Sequence, residues 1–477
     1  MAVKIVIIGG GPGGYVAALR AAALGGDVTL VERENLGGTC LNWGCIPSKI
    51  MKHSADMLVK FSEAGKLGIR VEGKILPDMA ALMERKNKIL DTQRKGIASL
   101  LQARHVSVTM GRAKIKGPGC VEVDLNDGTR KELEYDRLIL ATGTQPMDVP
   151  AFPFDHDRIV SSNDVLELAE IPKSIVIVGG GVIGCEFACI FSALGAEVTI
   201  VEAMSRLLPL PSVDEECSKL LLKEMKKRKI TVICDTVVQS SALNGDLLSI
   251  RLAVSPFTDN KDPKKLKAGE IQAEKMAVCI GRSALSNDLG LETIGLDPTP
   301  QGWIEADERM ETRIKGVYAI GDILGPQKVM LAHVASHEGM VAAENTMGNE
   351  SSMNYEVIPG AIFTMPEIGT VGLSEAEALK KGLDIDCFAV NFRTLGKAQA
   401  IDELPGFAKM IIEKNSGKIL GVHLMGAHST DLIAEATLAV QKGLTAKDLA
   451  HTIHAHPTLA EIMGEVALKA AGTPIHG

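Results

Sequence analysis

A gap-free internal repeat constrains this chain more than any other feature of its sequence. Residues 5–32 align with residues 175–202 at a constant offset of 170 positions. Each copy contains an apolar strand, a glycine-rich turn, an alanine-rich helix and a second strand that ends in an acid, Glu32 or Glu202. This order of elements predicts two βαβ units that bind dinucleotides.

The glycines of each turn have separate physical roles in this interpretation. The first permits a tight turn, the second lets the backbone approach a pyrophosphate, and the third lets the helix pack closely on the strand. The helix N-terminus offers free N–H groups and partial positive charge to the phosphates. The alternative is a glycine turn that only packs. The predicted nucleotide-binding residues of the two turns are Gly9, Gly11, Pro12, Gly13 and Gly14, and Gly179, Gly181, Val182, Ile183 and Gly184.

The acid at the end of each repeat bears on the choice of nucleotide. Glu32 and Glu202 lie 18 residues after the third glycine, where a carboxylate can accept hydrogen bonds from a ribose. A carboxylate at Glu202 accepts from a free 2′-hydroxyl but repels a 2′-phosphate, which favours NAD over NADP. Arg206 follows four residues later. A guanidinium can pair with a phosphate, so NADP stays an alternative.

Composition narrows the class of protein. A chain of 477 residues is too long for one core and indicates three or four domains. Hydrophobic residues at 46% and charged residues at 23% exclude a disordered protein. The net charge of −8 is spread along the chain, and no basic stripe predicts a nucleic-acid partner. The stretch Thr258–Lys267 is polar and lacks periodicity, which predicts a surface hairpin loop. A nucleic-acid patch is a poor alternative there, because acids interrupt its lysines.

Several absences predict a cytoplasmic protein. The first strand begins near Val3, which leaves no room for a signal or transit peptide. The sequence contains no run of about 18 or more uncharged apolar residues, so no membrane span is predicted. The nine cysteines are scattered, apart from one close pair, and do not form a secreted framework. A disulfide in a reducing compartment is more often catalytic than structural.

The close pair is Cys40 and Cys45, just beyond the first ribose acid. Four residues separate the cysteines on a turn-to-helix segment, and this spacing can bring two sulfurs within bonding distance. A helix N-terminus lowers the pKa of a thiol, and the thiolate attacks disulfides or donates charge to a flavin. Two unrelated buried cysteines are the alternative that the spacing alone leaves open.

These motifs together resemble the pyridine nucleotide–disulfide oxidoreductase family from end to end. The resemblance is strongest to members that oxidise protein-bound dihydrolipoamide with NAD⁺. It implies an enzyme with FAD in the first site, NAD in the second, and a homodimer built by the C-terminal domain. The segments that carry it are Gly37–Lys49, Gly9–Gly14, Ala141–Gly143, Gly179–Gly184, Gly321–Asp322 and His456–Thr458.

The fold that the resemblance implies is α/β, with two Rossmann-like, three-layer dinucleotide-binding domains and an α+β dimerisation domain at the C-terminus. In that last domain we predict a hairpin over Phe407–Met425, a helix over Leu432–Lys442 capped by Ser429 or Thr430, and a final helix from Pro457. The predicted ranges are 1–145 for the first part of the FAD domain, 146–275 for the NAD domain, 276–345 for the second part of the FAD and central domain, and 346–477 for the dimerisation domain.

The resemblance also implies roles for individual residues near the cysteines. Cys45 would face the flavin, and Cys40 would exchange with the dithiol substrate. Lys49 would lie by the flavin, paired with Glu186. Glu186 falls on an apolar helix, where an unpaired carboxylate would be costly. A surface-facing Glu186 is the alternative.

His456 and Glu461 would complete the catalytic site. A carboxylate that holds one imidazole nitrogen makes the other a stronger base. In the family this pair reaches the disulfide of the partner subunit and takes the thiol proton. Without the family, a cap or surface role for His456 is the alternative. His451, His454 and His456 alternate, but no carboxylate or cysteine stands at ligand spacing, so no metal is predicted.

Further cofactor contacts follow from the family's motifs, with Asp322 expected to hold the ribityl chain of FAD. The additional FAD-binding residues are Glu32, Gly38, Thr39, Lys49, Ala113, Thr142, Gly143, Asp322, Met330, Leu331, Ala332 and His333. The additional NAD-binding residues are Glu186, Glu202, Val238 and Gly281.

The expected partners are lipoyl domains of 2-oxo acid dehydrogenase complexes or of the glycine cleavage system. Alternatives are a glutathione-, mercuric- or quinone-type reductase and a non-catalytic flavin-bound subunit. A glutathione-type enzyme should carry basic residues in place of Glu202, and a mercuric reductase should carry a second cysteine pair, whereas no cysteine follows Cys387. The chain departs from the family pattern after Arg282, at Met365 and at Ala460.

Overall fold

The computed structural model describes residues 2–258 and 268–477. Apart from Thr258, the loop predicted over Thr258–Lys267 lies outside the described residues. The strands are, in chain order, β1 (Lys4–Ile8), β2 (Asp27–Glu32), β3 (Ser107–Gly117), β4 (Cys120–Leu125), β5 (Arg130–Glu134), β6 (Arg137–Leu140), β7 (Thr144–Pro146), β8 (Ile159–Ser161), β9 (Ser174–Val178), β10 (Glu197–Val201), β11 (Thr231–Ile233), β12 (Thr236–Asn244), β13 (Leu247–Val254), β14 (Gly269–Ala273), β15 (Lys275–Val278), β16 (Arg282–Ala284), β17 (Val317–Ala319), β18 (Gly360–Ile362), β19 (Glu367–Gly372), β20 (Ile385–Asn391), β21 (Phe407–Glu413) and β22 (Ile419–Gly426).

The helices connect these strands and cover their faces. They are α1 (Pro12–Ala23), α2 (Gly38–Trp43), α3 (Cys45–Ser62), α4 (Met79–Ala103), α5 (Ser162–Val165), α6 (Val182–Leu194), α7 (Glu215–Lys227), α8 (Ala332–Thr346), α9 (Glu375–Lys380), α10 (Gly396–Ala400), α11 (Ser429–Lys442), α12 (Ala446–Ala450) and α13 (Glu461–Ala470). Short 3₁₀ turns occupy Ala64–Leu67, Leu291–Ile294, Gly321–Leu324 and Phe392–Thr394.

The chain forms two compact units, each assembled from three segments. Unit 1 contains the residues up to Ile50, Ala80–Met147 and Gly281–Tyr355. Unit 2 contains Met51–Met79, Asp148–Ile280 and Glu356–Gly477. The four domain ranges drawn from the sequence stay a prediction.

Unit 1 is built on a seven-stranded sheet in the order β17-β6-β1-β2-β3-β4-β5. The strands from β17 to β3 pair in parallel, whereas β3, β4 and β5 pair antiparallel. Ile5–Ile8 of β1 is buried throughout, as expected for a central parallel strand that is covered on both faces. Helix α1 packs against α8.

Unit 2 contains two further layered regions. One is a parallel sheet in the order β11-β10-β9-β15-β8, accompanied by the antiparallel sheet β12-β13-β14. The other is an antiparallel sheet in the order β18-β19-β22-β21-β20, on which α11 and α13 pack. Two parallel α/β regions and a C-terminal α+β region confirm the predicted fold class.

The C-terminal elements show where sequence patterns are reliable. The predicted hairpin is present as β21 and β22. Helix α11 begins at Ser429, earlier than predicted, and its N-cap is His428, which makes no side-chain cap. The prediction of a helix from Pro457 is wrong, because α13 begins at Glu461. The carboxylate of Glu461 instead accepts the N–H of Thr458 at 2.9 Å and holds the preceding segment as a loop.

Candidate active site

The first glycine turn lies between β1 and α1 and is packed to the limit at two positions. Gly9 has a φ of +108°, and a Cβ there would lie 2.3 Å from the carbonyl oxygen of Ala141. A Cβ on Gly14 would lie 1.8 Å from the carbonyl oxygen of Gly9. Gly11 is different, because its Cβ would meet nothing closer than the Cα of Gly38 at 3.8 Å. The space beside Gly11 is therefore open to a ligand.

The second turn, between β9 and α6, repeats this geometry. Gly179 also has a φ of +108°, and its Cβ would lie 2.8 Å from the carbonyl oxygen of Cys279. A Cβ on Gly184 would lie 1.9 Å from the carbonyl oxygen of Gly179. No atom of residues 2–258 and 268–477 lies within 4 Å of a Cβ on Gly181. Protein packing explains the outer glycines of both turns, and it does not explain the middle ones.

The acid that ends β2 braces the first turn. Glu32 is buried, and its Oε2 accepts the backbone N–H of Gly10 at 2.7 Å. Its Oε1 accepts the backbone N–H of Glu34, also at 2.7 Å. Sequence reasoning assigned this carboxylate only to a ribose. A carboxylate has about four lone-pair sites, so Glu32 can brace the turn and still accept from a hydroxyl.

Glu202 does the same work in the second copy. Its Oε2 accepts the N–H of Gly180 at 2.5 Å, and its Oε1 accepts the N–H of Met204 at 2.7 Å. The carboxylate is buried. The two acids are thus equivalent in hydrogen bonding as well as in sequence position.

Arg206 is the residue that kept NADP as an alternative, and its guanidinium is hydrogen-bonded to nearby residues of its own segment. Its guanidinium donates four hydrogen bonds within the segment that follows it. The acceptors are the carbonyl oxygens of Leu208, Leu210 and Val213 at 2.9, 3.0 and 3.3 Å, and the hydroxyl of Ser218 at 2.6 Å. A guanidinium with this many local acceptors is poorly available to a 2′-phosphate.

The two cysteines lie on either side of a helix break. Cys40 is in α2, and Cys45 is the first residue of α3. The thiols are hydrogen-bonded to each other and are not joined by a disulfide. The hydrogen bond to Cys45, followed by burial, raises the pKa of Cys40, while the charge of Lys49 opposes the rise. The expectation of a lowered thiol pKa therefore does not hold for Cys40 in this dithiol form.

The helix that carries Cys40 is attached directly to the first glycine turn. The N–H of Gly37, which has a φ of +96°, donates to the carbonyl oxygen of Gly10 at 2.8 Å. Asn42, buried between the cysteines in sequence, donates its amide to the carbonyl oxygens of Leu36 and Gly38 at 3.1 and 2.9 Å. These bonds fix α2 against the turn that would hold a pyrophosphate.

A polar cluster in unit 1 surrounds Asp322, the predicted ribityl ligand. The hydroxyl of Thr144 donates to Asp322 Oδ2 at 3.1 Å and accepts from Arg282 Nε at 2.6 Å. Arg282 also donates to the carbonyl oxygen of Thr144 at 3.0 Å. Burial raises the pKa of Asp322, whereas Arg282 and Thr144 lower it. The sequence alone did not predict a role for Arg282.

Unit 1 brings the predicted FAD segments together. The first turn contacts Ala141, which precedes Thr142 and Gly143. A Cβ on Gly13 would lie 3.1 Å from both Ile320 and the carbonyl oxygen of Ala335 in α8. Leu331 is the N-cap of α8, and Ala332 and His333 form its first turn. Ala113 lies in β3, paired with Val123 of β4, and Lys49 donates to Ser48 Oγ at 3.3 Å.

The residues present in unit 1 fit a bound dinucleotide. The hydroxyl of Thr142 is buried and has no hydrogen-bond partner among residues 2–258 and 268–477, and such an atom needs an explanation. The space beside Gly11 is open. A polar ligand that passes Gly11 and reaches Thr142 would account for both observations.

The remaining residues predicted for NAD are less concentrated. Glu186 is buried, and its Oε1 accepts the N–H of Phe363 at 2.9 Å, so the surface-facing alternative is wrong. Ile183 is 37% exposed. Val238 is buried in a hydrophobic cluster of unit 2. Gly281 belongs to unit 1, whereas the other residues predicted for NAD belong to unit 2.

His456 and Glu461 form the predicted pair. Nδ1 of His456 lies 2.9 Å from Glu461 Oε1. Burial opposes the shift, but the hydrogen bonds from His456 and from the N–H of Thr458 hold the pKa of Glu461 below its usual value. His456 is 76% exposed, so its second nitrogen is accessible to a substrate or to another chain.

A second histidine–carboxylate pair adjoins this one and was missed in the sequence. His454 Nε2 lies 2.9 Å from Glu435 Oε1 on α11, and this hydrogen bond raises the pKa of His454. The histidine ring lies against α13, where a Cβ on Gly464 would come within 2.9 Å of Nδ1. No local sequence pattern marks this pair, because its two residues are 19 positions apart.

The described part of the chain contains no group of three His, Cys, Asp or Glu side chains placed to hold a metal ion. None of its helices is long and apolar enough to cross a membrane.

The chain is similar to known proteins along nearly its whole length. Residues 3–339 match the sequence model of the pyridine nucleotide-disulphide oxidoreductases, and residues 358–467 match their dimerisation domain. The chain is 39% identical over 473 residues to a dihydrolipoyl dehydrogenase of Chlamydia muridarum and 37% identical over 474 residues to that of Geobacillus stearothermophilus. In both cases the match covers 99% of this chain and 97% of the relative.

Solved structures show the same fold along the whole chain. LpdA from Mycobacterium tuberculosis superposes with a TM-score of 0.89 at 26% identity, covering 98% of this chain and 99% of its own. The flavoprotein disulfide reductase RclA from Escherichia coli superposes with a TM-score of 0.84 at 22% identity, covering 98% and 99%, and it shows the fold alone.

Proposed function

The chain belongs to the pyridine nucleotide-disulphide oxidoreductase family, and on that premise we propose that it acts as an FAD-dependent dihydrolipoyl dehydrogenase. It oxidises protein-bound dihydrolipoamide to lipoamide and reduces NAD⁺ to NADH. The observation that carries the proposal is the hydrogen-bonded pair of Cys40 and Cys45, fixed to a nucleotide-binding turn.

The chain's own residues account for the thiol chemistry. We assign the proton transfer to His456, whose Nε2 takes the proton of one substrate thiol while Glu461 holds Nδ1. The substrate thiolate attacks the sulfur of Cys40, which breaks the Cys40–Cys45 disulfide and forms a mixed disulfide. The second substrate thiol then attacks the mixed disulfide and displaces the sulfur of Cys40, which takes the proton of that thiol while His456 keeps the first proton. The products are lipoamide, a Cys40 thiol and a Cys45 thiolate.

Bound FAD supplies the two-electron chemistry between this dithiol and NAD⁺. We assign FAD to unit 1, where Gly11, Thr142 and Asp322 would hold it. Lys49 and Glu186 are kept as catalytic residues in this proposal, on the strength of the family resemblance.

NAD is the nucleotide that the second turn favours. Glu202 is ionisable, buried and aligned with the turn, and a 2′-phosphate beside it would meet like charge. Arg206 supports the same choice, because its donors are engaged by its own loop.

The match to a dimerisation-domain model supports a homodimer. We propose that His456 acts on the cysteines of the second copy, that the partners are lipoyl domains of 2-oxo acid dehydrogenase complexes or of the glycine cleavage system, and that the protein works in the cytoplasm. The ranges 1–145, 146–275, 276–345 and 346–477 are proposed as its domains.

A direct assay tests the proposal. We expect dihydrolipoamide oxidation with NAD⁺ and little with NADP⁺. Cys45→Ser and His456→Gln should each reduce the rate by about two orders of magnitude or more. His476→Gln is the matched control, since His476 makes the same 2.9 Å contact to Glu465 on α13. Full activity in both the Cys45 and His456 variants would contradict the mechanism.

The non-catalytic alternative has a separate signature. A flavin-bound subunit without enzymatic activity should show a visible spectrum that neither dihydrolipoamide nor NADH changes on mixing. A spectrum that changes with both reagents would exclude it.

A further inference from the structure

We propose that Glu338, acting with Tyr355, positions the two segments of unit 1 that are assigned to FAD. Glu338 is a positioning residue in this inference, and no contact between it and FAD is required. The inference rests on the proposed function, because it presupposes that FAD binds in unit 1.

Glu338 holds one of the FAD segments directly. It lies on α8 and is 1% exposed. Its Oε2 accepts the backbone N–H of Gly321 at 2.6 Å. Gly321 has a φ of +75°, a conformation that favours glycine, and it immediately precedes Asp322. The carboxylate therefore fixes the turn from which the predicted ribityl ligand projects.

The other oxygen of Glu338 leads to the second segment. Its Oε1 accepts the hydroxyl of Tyr355 at 2.6 Å. The ring of Tyr355 lies under Lys328, with Nζ 4.4 Å from the ring centroid. Lys328 is two residues before Met330, where the predicted flavin-lining stretch begins. A buried carboxylate and one tyrosine thus connect both stretches.

The helix that carries Glu338 is itself fixed to the first glycine turn. A Cβ on Gly339 would lie 2.4 Å from the carbonyl oxygen of Gly13. Helix α8 therefore cannot move towards α1 to compensate for a lost contact elsewhere. A substitution of Glu338 should therefore displace the 3₁₀ turn at Gly321–Leu324 and not the helix.

An acid at this position needs a reason. Burial raises the pKa of Glu338, and the hydrogen bonds from Tyr355 and Gly321 oppose the rise. An apolar side chain would avoid this desolvation, but it would leave the partly buried N–H of Gly321 and the partly buried hydroxyl of Tyr355 without this acceptor. A role in placing Asp322 explains why an acid is buried on α8 among neighbours such as Val334, Ala335 and Val341.

Four variants test the inference in the purified full-length protein. Glu338→Leu removes both acceptors, Tyr355→Phe removes one donor, and Glu338→Gln keeps the shape and one acceptor. Glu344→Gln is the matched control on the same helix, because Glu344 pairs with Arg20 at the surface at 2.5 Å. The measurements are the Kd of FAD for the apoprotein, the visible circular dichroism of bound flavin, and the urea midpoint of the apoprotein.

We expect Glu338→Leu to raise the Kd of FAD about tenfold or more and to change the flavin dichroism. Tyr355→Phe should raise the Kd of FAD about threefold. Glu338→Gln should have a Kd and a flavin dichroism close to those of the parent protein. The control should match the parent protein. These effects should persist after any change in the urea midpoint is taken into account.

Two results would overturn the inference. One is a parent-like Kd and flavin dichroism in Glu338→Leu and Tyr355→Phe. The other is a lower urea midpoint without any change in FAD binding, which would make Glu338 a core residue only. If Glu338→Leu does not fold, Tyr355→Phe decides. A parent protein that binds FAD but does not oxidise dihydrolipoamide would contradict the proposed function and leave this test intact.

Discussion

The two glycine turns are nearly identical in geometry, although Pro12 and Gly13 of the first copy are replaced by Val182 and Ile183 in the second. In both, the first glycine has a φ of +108°. In both, the terminal acid accepts two backbone N–H groups, at 2.7 and 2.7 Å in the first copy and at 2.5 and 2.7 Å in the second. What the repeat preserves is a backbone cradle together with the carboxylate that braces it.

The surroundings of the two turns differ. Gly13 of the first copy packs against Ala335 of α8, whereas the aligned residue of the second copy, Ile183, is 37% exposed. The first cradle is thus covered by a helix of its own unit at a point where the second presents a side chain to solvent. This difference suits a cofactor that stays bound in the first copy and one that exchanges in the second.

The segments that follow the two acids differ as well. After Glu32 the chain forms the α2 turn that carries Cys40. After Glu202 it forms a loop fixed by Arg206. In the proposed function the duplicated part would bind the nucleotides, and only the first copy is followed by the helix that carries Cys40.

Substitution of the third glycine of either turn should have the largest effect on nucleotide binding. A Cβ on Gly14 or Gly184 would overlap a carbonyl oxygen at 1.8 or 1.9 Å, which costs about 3 kcal/mol or more. We expect Gly14→Ala to be purified without FAD, and Gly184→Ala to keep FAD but to bind NADH at least about a hundredfold more weakly. Flavin absorbance and NADH titration measure this. Loss of FAD in Gly184→Ala would contradict the expectation that each turn affects only its own nucleotide.

Removal of the second acid should have the next largest effect. Glu202→Ala removes the acceptor of the N–H groups of Gly180 and Met204 and, in the proposed function, of a ribose hydroxyl. We therefore expect the Kd of NADH to rise about thirtyfold, or about 2 kcal/mol. FAD content should not change. Glu197→Ala, at the exposed start of the same strand, is the control. If Glu202→Ala bound NADH with the Kd of the parent protein, the assignment of this carboxylate to the NAD site would be wrong.

Substitution of the middle glycines separates ligand effects from packing effects. No protein atom obstructs a Cβ on Gly11 or Gly181, so Gly11→Ala and Gly181→Ala should change the free energy of unfolding of the apoprotein by less than about 0.5 kcal/mol. Each should weaken its own nucleotide about tenfold, because the pyrophosphate would meet the new methyl group. Unchanged affinity in both would place the phosphates elsewhere.

Substitution at the positions that differ between the copies should have the smallest effect. Gly13→Ala brings a Cβ within 3.1 Å of Ile320 and Ala335, and we expect it to cost about 1 kcal/mol of unfolding free energy. Ile183→Ala should alter the Kd of NADH by less than about threefold, since the side chain is partly exposed already. A larger loss at Ile183 would show that the second cradle depends on this side chain.

Much of the fold and of the candidate site was predictable from sequence. The glycine spacing specifies a strand, a turn and a helix because backbone sterics at Gly9 and Gly14 admit no side chain. The spacing of Cys40 and Cys45 is likewise a local constraint. Patterns of this kind are carried by neighbouring residues, so the sequence displays them directly.

Other parts of the site depend on contacts that no local pattern encodes. Glu338 is 17 residues from each of its partners, Gly321 and Tyr355, and nothing in its own segment marks it. The pair of His454 and Glu435 is separated by 19 residues. The start of the last helix was misplaced because Pro457 fits a first helical position, whereas the observed start is at Glu461, whose side chain reaches back along the chain.

The loop after Glu202 has a consequence for any attempt to change the cofactor of this protein. Reversing the charge at residue 202 would remove the brace of the turn at the same time as it removed the repulsion. Arg206, four residues further on, would still donate to four acceptors, three in the loop that follows it and one on α7. A switch to the phosphorylated dinucleotide would therefore require a rebuilt segment from residue 202 to residue 213, with a new anchor for the turn and a new positive group, and no single substitution should achieve it.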